Sequence, residues 1–504
     1  MLPTKARVKR NKLYGPALWG LALLLVLAGC GITATELVAS QSLEIVGDIA
    51  EPFSLMNMED APAIVTIEHR GKSVSAIPLA VLVDKATPHG QSLDILMMAH
   101  DGFVARIDNQ NLDESYIVLS RQHGWEVVNF NHPPSSNIKN IKQIVVVARD
   151  LQPEQQFQII EPGRSIVSLS VGALYLDGYR TVLTPRGTAV TTSQGQELEV
   201  STYYRHRAID LGDYANITGP AWVVGQSGEV ELLRQDGIFV LGANSLSYMA
   251  DGEMLIPEAA GVVLNPPAKM ITEVYHDAKA LLESGEKVLV ILVDGFGYHQ
   301  YEYAKEEGHI PFLSTLPPPE MAMSAFPPIT PVNVAASLTG ELPHINGVVS
   351  RNVRRADVPT IFAWCLQQGL DSAAIIGPVS AVEFEIDPVF SLDLNQDGST
   401  DDEKTENALD IIGEGYDLVF VHYKDVDRVG HYYGDLHPET MEALRGNDAY
   451  IEELLSQWQG AVIIYADHGM RSTEDGGDHG ALQPEDMFIP YWLFHTNEQE
   501  DKQD

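Results

Sequence analysis

KVLVILVDGFGYHQYEYAKEE, residues Lys287 to Glu307, is an unbroken apolar run that ends in Asp-Gly and passes into an amphipathic segment of helix length. An apolar run without period-2 alternation is what a strand buried on both faces requires, and such strands belong to parallel sheets covered by crossover helices. The pattern recurs downstream. AAIIG, DLVFVHY and AVIIYA read as further strands, and Pro331–Leu338, Thr360–Gln368, Glu403–Ile412 and Pro438–Trp458 read as helices alongside Tyr298–Glu307. Residues 286–504 are therefore predicted to form an α/β domain with a mainly parallel sheet. In such sheets chemistry gathers beyond the carboxyl ends of the strands.

The residues at those ends are acidic. Asp294 follows VLVILV, Asp427 follows VFVHYKDV and Asp467 follows VIIYA. A carboxylate buried without a partner costs several kcal/mol, so three converging ones call for a compensating cation. With His431, His468 and His479 they make six oxygen and nitrogen donors, enough for two divalent cations at three protein ligands each. Three of the six lie in YADHGMRSTEDGGDHG, Tyr465 to Gly480; by itself that stretch reads equally as a polar, Gly-rich surface loop. The stretch SAFPPITPVNVAASLTGELP adds a hydroxyl. Thr330 precedes Pro331, which suits a first helical position, so Thr330 falls at a helix N-terminus where a developing anion is favoured. Alone it would be an N-cap threonine; beside a divalent cation it is a candidate nucleophile.

The order Asp-Gly, Thr-x-x-Asn, Asp-x-x-Gly-His, Asp-His-Gly-Met, Gly-x-His-Gly resembles the alkaline phosphatase superfamily, in its type I phosphodiesterase/nucleotide pyrophosphatase-like branch, over about residues 286–495. The resemblance implies an alkaline phosphatase-like fold and a metal-dependent phosphodiesterase or phosphatase. It places Asp294, Thr330, Asp467 and His468 at one metal, with Thr330 as nucleophile, and Asp427, His431 and His479 at the other. It also implies an Asn that holds a phosphoryl oxygen, for which Asn352 is the first choice and Asn346 and Asn333 the others. The implied route passes through a phosphothreonine that water or an acceptor alcohol then resolves. Zinc suits the mixed Asp/His set, and manganese or iron fits the same donors. Two alternatives stay open: a transferase of the phosphoethanolamine or glycerophosphate type, and a substrate-binding surface lipoprotein with a vestigial site. Arg351, Arg354, Arg355, Lys424 and Arg428 lie near the motifs and could contact an anionic substrate, but each reads most simply as part of a solvated face.

A second metal-type feature is DLNQDGSTDDE, where Asp393, Asn395 and Asp397 alternate before Gly398 as in a calcium loop. The twelfth position, which should be Glu, is Lys404, with Glu403 one place early. A solvated acidic loop capping the next helix is the other reading.

The preceding half is different. Between Ser42 and Leu264 short runs with period-2 patterning alternate with Gly, Asp and Asn, which predicts β-rich domains at 30–150 and 151–266, followed by a linker and helix at 267–285. VGDIAEPFSL, GKSVSAIPL, AHDGFVARI and NIKNIKQIVVV resemble the molybdopterin-binding domain of sulfite-oxidase-type proteins. That domain's ligating Cys has no counterpart here, so molybdopterin is not expected. Apolar strands followed by DG recur in both blocks and hint at a repeated architecture.

Residues 1–29 read as a signal peptide: Lys5, Arg7, Lys9, Arg10 and Lys12, then an apolar run broken by Gly15, Pro16 and Gly20, too short and interrupted for a membrane span. Leu27-Ala28-Gly29-Cys30 resembles the lipobox of bacterial lipoproteins, which implies cleavage before Cys30 and an acyl anchor on an extracytoplasmic membrane face; an ordinary signal peptide is the alternative. The other cysteine, Cys365, has no disulfide partner then, and reads as a buried apolar residue. With 70 Asp+Glu against 32 Lys+Arg the net charge is -38, a field that repels nucleic acid, so a nucleic-acid-binding role is not expected; the phosphate-ester partner is what the resemblance implies.

Overall fold

A computed structural model describes residues 42–193 and 196–496. The expected signal peptide and Cys30 lie outside the described residues. The chain divides between Arg149 and Asp150 into two compact units. Among the described residues no helix is long and apolar enough to cross a membrane.

The first unit is β-rich. One sheet runs in the order Phe53–Leu55, Leu43–Gly47, Ile141–Ala148, Leu93–Ala99, Val104–Asp108, and a second in the order Val65–His69, Lys72–Pro78, Ser115–Ser120, Gly124–Asn129. The first strand pairs in parallel with the last, Leu43–Gly47 on Ile141–Ala148. The block from Phe157 to Leu264 repeats this plan strand for strand. Its sheets run Arg164–Leu169, Phe157–Glu161, Ala259–Leu264, Ala221–Gly225, Val230–Leu232 and Arg180–Ser193, Gln196–Ile209, Ile238–Leu241, Leu246–Ala250, Glu253–Ile256, with Phe157–Glu161 again parallel to Ala259–Leu264. The recurrence sensed in the sequence is thus a repeated topology. The second copy differs in an extra edge strand and a longer hairpin, Arg180–Ser193 with Gln196–Ile209.

The second unit also contains the α/β sheet, in the order Lys269–Met270, Glu320–Met323, Phe488–His495, Ala461–Tyr465, Val288–Val293, Leu418–Tyr423, Ser372–Ile376, Val389–Phe390. Val288–Val293 lies at the centre with all six residues buried, parallel to Leu418–Tyr423 on one side and Ala461–Tyr465 on the other. Phe488–His495 runs antiparallel to both its neighbours, so the sheet is mainly and not wholly parallel. Two features escaped the sequence pattern. That antiparallel strand follows the motifs without a crossover helix, and Asp425–Tyr433 forms a short helix directly after the strand Leu418–Tyr423.

Residues 151–266 and 286–504, expected as separate domains, share one compact unit. The reason is a common hydrophobic cluster: Ile160, Val224, Ala260 and Val263 of the β block pack with Met323, Phe326, Leu482, Met487 and Phe488 of the α/β region. A Cβ on Gly261 would sit 2.6 Å from the Leu482 side chain, so glycine permits this approach. Ser165 Oγ donates to Gln483 Oε1 at 2.6 Å across the same seam.

Candidate active site

The carboxyl ends of Val288–Val293, Leu418–Tyr423 and Ala461–Tyr465 deliver Asp294, the helix Asp425–Tyr433 and Asp467-His468 to one place. Gly295, at φ +76°, makes the bend after Asp294; a Cβ there would lie 2.8 Å from the Asp427 Cα. Its N–H donates to Asp467 Oδ1 at 3.2 Å, so the Asp-Gly pair ties two strand ends together. Gly430 and Gly477 serve the same purpose further out. The helix and the strand Gly476–Asp478 approach so closely that a Cβ on Gly477 would meet Gly430 O at 2.5 Å.

Two groups of donors form, each with its ligand atoms within 4.8 Å of one another: Asp294, Asp467 and His468, and Asp427, His431 and His479. The His468 and His479 rings stack with centroids 3.7 Å apart, which sets the groups side by side. Each histidine has its Nδ1 at a main-chain carbonyl: His468 at Gly469 O (2.9 Å), His431 at Gly477 O (3.0 Å) and His479 at Pro328 O (2.8 Å). An Nδ1–H used in this way fixes the tautomer and presents the Nε2 lone pair to a cation.

The electrostatics favour the same conclusion. Burial alone would raise Asp294, yet Lys424, a hydrogen bond with His422 (Nε2 to Oδ2, 2.9 Å) and His468 hold it well below the usual carboxylate range. Asp467 is pushed well above that range by burial and by Asp294 and Asp427. Burial lowers His468 and His479, whereas His431 is raised by its bond with Asp427. Asp467 Oδ2, Asp427 Oδ1 and His479 Nε2 are buried without hydrogen-bond partners. Crowded carboxylates, neutral imidazoles and orphaned donor atoms are the state that divalent cations relieve, so the donor set fits two of them.

Thr330 opens the helix Thr330–Thr339, with Pro331 in its first turn. Its Oγ1 lies 3.4 Å from Asp294 Oδ1 and 3.3 Å from His468 Nε2, beside the first group. The entry to this helix is held by Asn333, whose Oδ1 accepts from Ala325 N at 2.7 Å and whose Nδ2 donates to Ala325 O, Pro327 O and Ile329 O. Asn333 is therefore occupied in shaping the loop. Asn346 is occupied likewise, between Glu341 O and Val348 N. Asn352 stands exposed on the turn it shares with Arg351, whose charge is felt at both His468 and His479.

Asp486 closes the site from behind. Its Oδ2 accepts from Gly480 N and Ala481 N, both at 3.0 Å, and pairs with Arg471. It thereby fixes the segment that follows His479. Asp486→Ala strips Gly480 N and Ala481 N of their acceptor while Arg471 keeps Glu154 and Asp478, and is expected to cost about 1–3 kcal/mol, read as a fall in Tm, along with lower metal occupancy of the His479 group.

The calcium-type loop precedes the helix Asp401–Glu414. Gly398 N donates to Asp393 Oδ2, Asp397 N to Asn395 Oδ1 and Ser399 N to Asp397 Oδ1, while Asn395 and Asp397 are exposed. Asp393 Oδ1 and Glu403 Oε2 are buried without hydrogen-bond partners, while Lys404, at the twelfth position, is buried in a pair with Asp401. Cys365 is buried, its thiol pushed up to about 12 chiefly by burial, in keeping with a packing residue.

The sequence reading passed over His422 and treated Lys424 as solvated. His422 had one signal, a titratable residue in an otherwise apolar strand two positions from its charged end. Lys424 had none, because only the fold brings its Nζ within 3.7 Å of Asp294 Oδ2.

Residues 288–489 match the family described as type I phosphodiesterase / nucleotide pyrophosphatase. Among curated relatives, GPI ethanolamine phosphate transferase 3 of Schizosaccharomyces pombe is 26% identical over 110 residues, 21% of this chain and 12% of that protein. The 2,3-bisphosphoglycerate-independent phosphoglycerate mutase of Ruegeria pomeroyi is 39% identical over 85 residues, 16% of this chain and 17% of the mutase. The chain thus spans under a fifth of each relative's length. Among solved structures, murine ectonucleotide pyrophosphatase / phosphodiesterase 5 aligns with a TM-score of 0.32 and 18% identity, over 37% of this chain and 58% of its own. Phosphonoacetate hydrolase from Sinorhizobium meliloti aligns with a TM-score of 0.30 and 18% identity, over 36% and 56%. The similarity to the type I phosphodiesterase / nucleotide pyrophosphatase family is thus carried by residues 288–489, the region that holds the α/β sheet and both donor groups.

Proposed function

We propose that the chain is a metal-dependent phosphoric ester hydrolase that works through a phosphothreonine on Thr330. The observation that carries this is the hydroxyl of Thr330, at a helix N-terminus and 3.3 Å from His468 Nε2, beside one fully buried and one partly buried three-donor group. Asp294, Asp467 and His468 would hold one divalent cation and Asp427, His431 and His479 the other; bound there, the cations lower the pKa of the hydroxyl and neutralise charge on the transferring group. Thr330 Oγ then attacks phosphorus in line, forming the O–P bond as the bond to the leaving alcohol breaks and the alcohol departs with a proton. Water attacks phosphorus from the side that the alcohol vacated, opposite Thr330, the Thr330 O–P bond breaks, and phosphate, or a phosphate monoester when the substrate is a diester, leaves as Thr330 regains its proton. Arg351 lies within electrostatic reach of the histidines and suits a phosphoryl oxygen.

The relation to an ethanolamine phosphate transferase favours one second reading, in which an alcohol replaces water in the last step. Acid quenching with a labelled ester should trap label on Thr330, and adding acceptor alcohols measures the partition between water and transfer. If no mono- or diester labels the protein, both readings fall. A vestigial site would instead show as metal well below two ions per chain on elemental analysis.

The location that accompanies this reading is an extracytoplasmic membrane face, through acyl chains on Cys30. Metabolic labelling with palmitate is expected to mark the wild type and to vanish in Cys30→Ala; unlabelled wild-type protein would leave an ordinary secreted enzyme.

A further inference from the structure

A cavity of about 530 Å³ opens beside the second donor group, bounded by Pro378 and Val379 on one wall, Ser399 on another and Asp427, His431 and Tyr432 on a third. Its volume is that of a site for an organic ligand and is more than a phosphoryl group needs. Val379 and Tyr432 are 67% and 73% exposed, so the outer wall offers apolar surface to whatever enters.

Two cations line this cavity, Lys424 and Arg428. The Arg428 guanidinium is engaged: its Nε and terminal nitrogen donate to Asp425 Oδ1 at 2.9 and 2.8 Å. The second oxygen of Asp425 accepts from Ser399 Oγ at 2.5 Å, and among the described residues that carboxylate pairs with Arg428 and not with Lys424. Lys424 itself approaches only Asp294, at 3.7 Å, and its side chain is 40% exposed. Its main chain, by contrast, is pinned. Lys424 N and Asp425 N both donate to buried Asp401, which is held in turn by Lys404 and Asn447. A rigid base therefore carries an ammonium at the boundary between Asp294 and an open cavity.

We infer that Lys424 selects phosphate esters whose organic part bears an anionic group of its own, and that it holds this group in the cavity. This rests on the proposed phosphoryl-transfer site. Once Asp294 and Asp427 serve divalent cations, the Lys424 charge has no counter-charge among the described cavity residues, and an anion in the cavity supplies one. The need is sharpened by the rest of the chain, where a net charge of -38 repels anionic ligands at a distance. A local cation is what reverses that repulsion at the site.

The test is equilibrium binding by calorimetry to the metal-loaded full chain, using benzylphosphonate and 4-carboxybenzylphosphonate, a pair that differs only by one carboxylate. Wild type is expected to bind the carboxylated ligand about tenfold or more tighter, as a charge-assisted hydrogen bond implies. That preference should collapse in Lys424→Met and largely return in Lys424→Arg, with melting curves verifying the fold of each variant. Equal affinities in wild type, or a Lys424→Met variant that weakens both ligands by one factor, would overturn the assignment and make Lys424 a phosphoryl clamp. If neither phosphonate binds, the phosphoryl site itself is refuted along with it.

Discussion

Thr330→Ala is expected to lower turnover of every phosphate ester on the order of 10⁴-fold, because it deletes the atom that forms the covalent intermediate. Thr330 is 8% exposed and its hydroxyl is shared between Asp294 and His468, so its loss leaves no buried group stranded; the change in stability should stay within about 1 kcal/mol. Activity and stability thus separate, and a melting curve beside the rate measurement makes the separation visible. Thr330→Ser keeps Oγ at the helix N-terminus and should retain most of the turnover and all of the label trapped by acid quench. A Thr330→Ala protein that hydrolyses esters at the wild-type rate would show that water attacks phosphorus directly.

Chelation is expected to abolish turnover and to lower Tm by several degrees, since a ligand present at 1,000 times its Kd adds about 4 kcal/mol to the folded state. The source is the two donor groups, in which Asp467 Oδ2, Asp427 Oδ1 and His479 Nε2 are buried without a hydrogen bond and meet only one another or a neighbouring histidine at 3.4–3.5 Å. The pH dependence carries a sign. His431 is raised by Asp427, so in metal-free protein the folded state keeps a proton that the unfolded chain has lost above about pH 6.5. The His431 contribution to metal-free stability therefore falls as pH rises above about 6.5, with buried Asp467 adding in the same direction, whereas His468, His479 and His422, lowered by burial, slope the other way below about pH 6.5. With cations bound these groups are already deprotonated, and the fall should disappear. The two centres can be removed singly. His468→Ala should block formation of the phosphothreonine, whereas His479→Ala should let it form and slow its breakdown, which single-turnover label experiments resolve. A metal-free protein with unchanged Tm across this pH range would mean that the donors are not a metal site.

The motifs were legible because strand ends and glycines have few chemical meanings. Asp294, Asp427 and Asp467 follow fully apolar runs, and Thr330 precedes a proline that starts a helix, so each could be placed at the rim of a parallel sheet from local pattern alone. The six donors were grouped through the family resemblance, and the structure brings together the same two sets. Local pattern also located the β-rich blocks, since period-2 alternation and turn residues act over a few positions.

What local pattern does not carry is contact between residues far apart in the chain. Nothing in residues 151–266 announces that Ile160 and Val263 pack on Phe326 and Met487, so the second β block was expected to stand alone. Asn333 resembled a ligand for phosphate until its hydrogen bonds to the loop 325–329 were in view. Lys424 is the clearest case. In the sequence it is one base in an acidic stretch, and a lone lysine is most often solvated. Only the parallel pairing of Val288–Val293 with Leu418–Tyr423 brings its ammonium beside Asp294 at the mouth of a cavity. The sequence by itself determined the sheet and put Thr330 and the six candidate donors at its rim, because those placements depend on short-range pattern and residue chemistry. The surroundings that decide which ester is taken came from tertiary structure, because they depend on which charges remain uncompensated once distant segments meet.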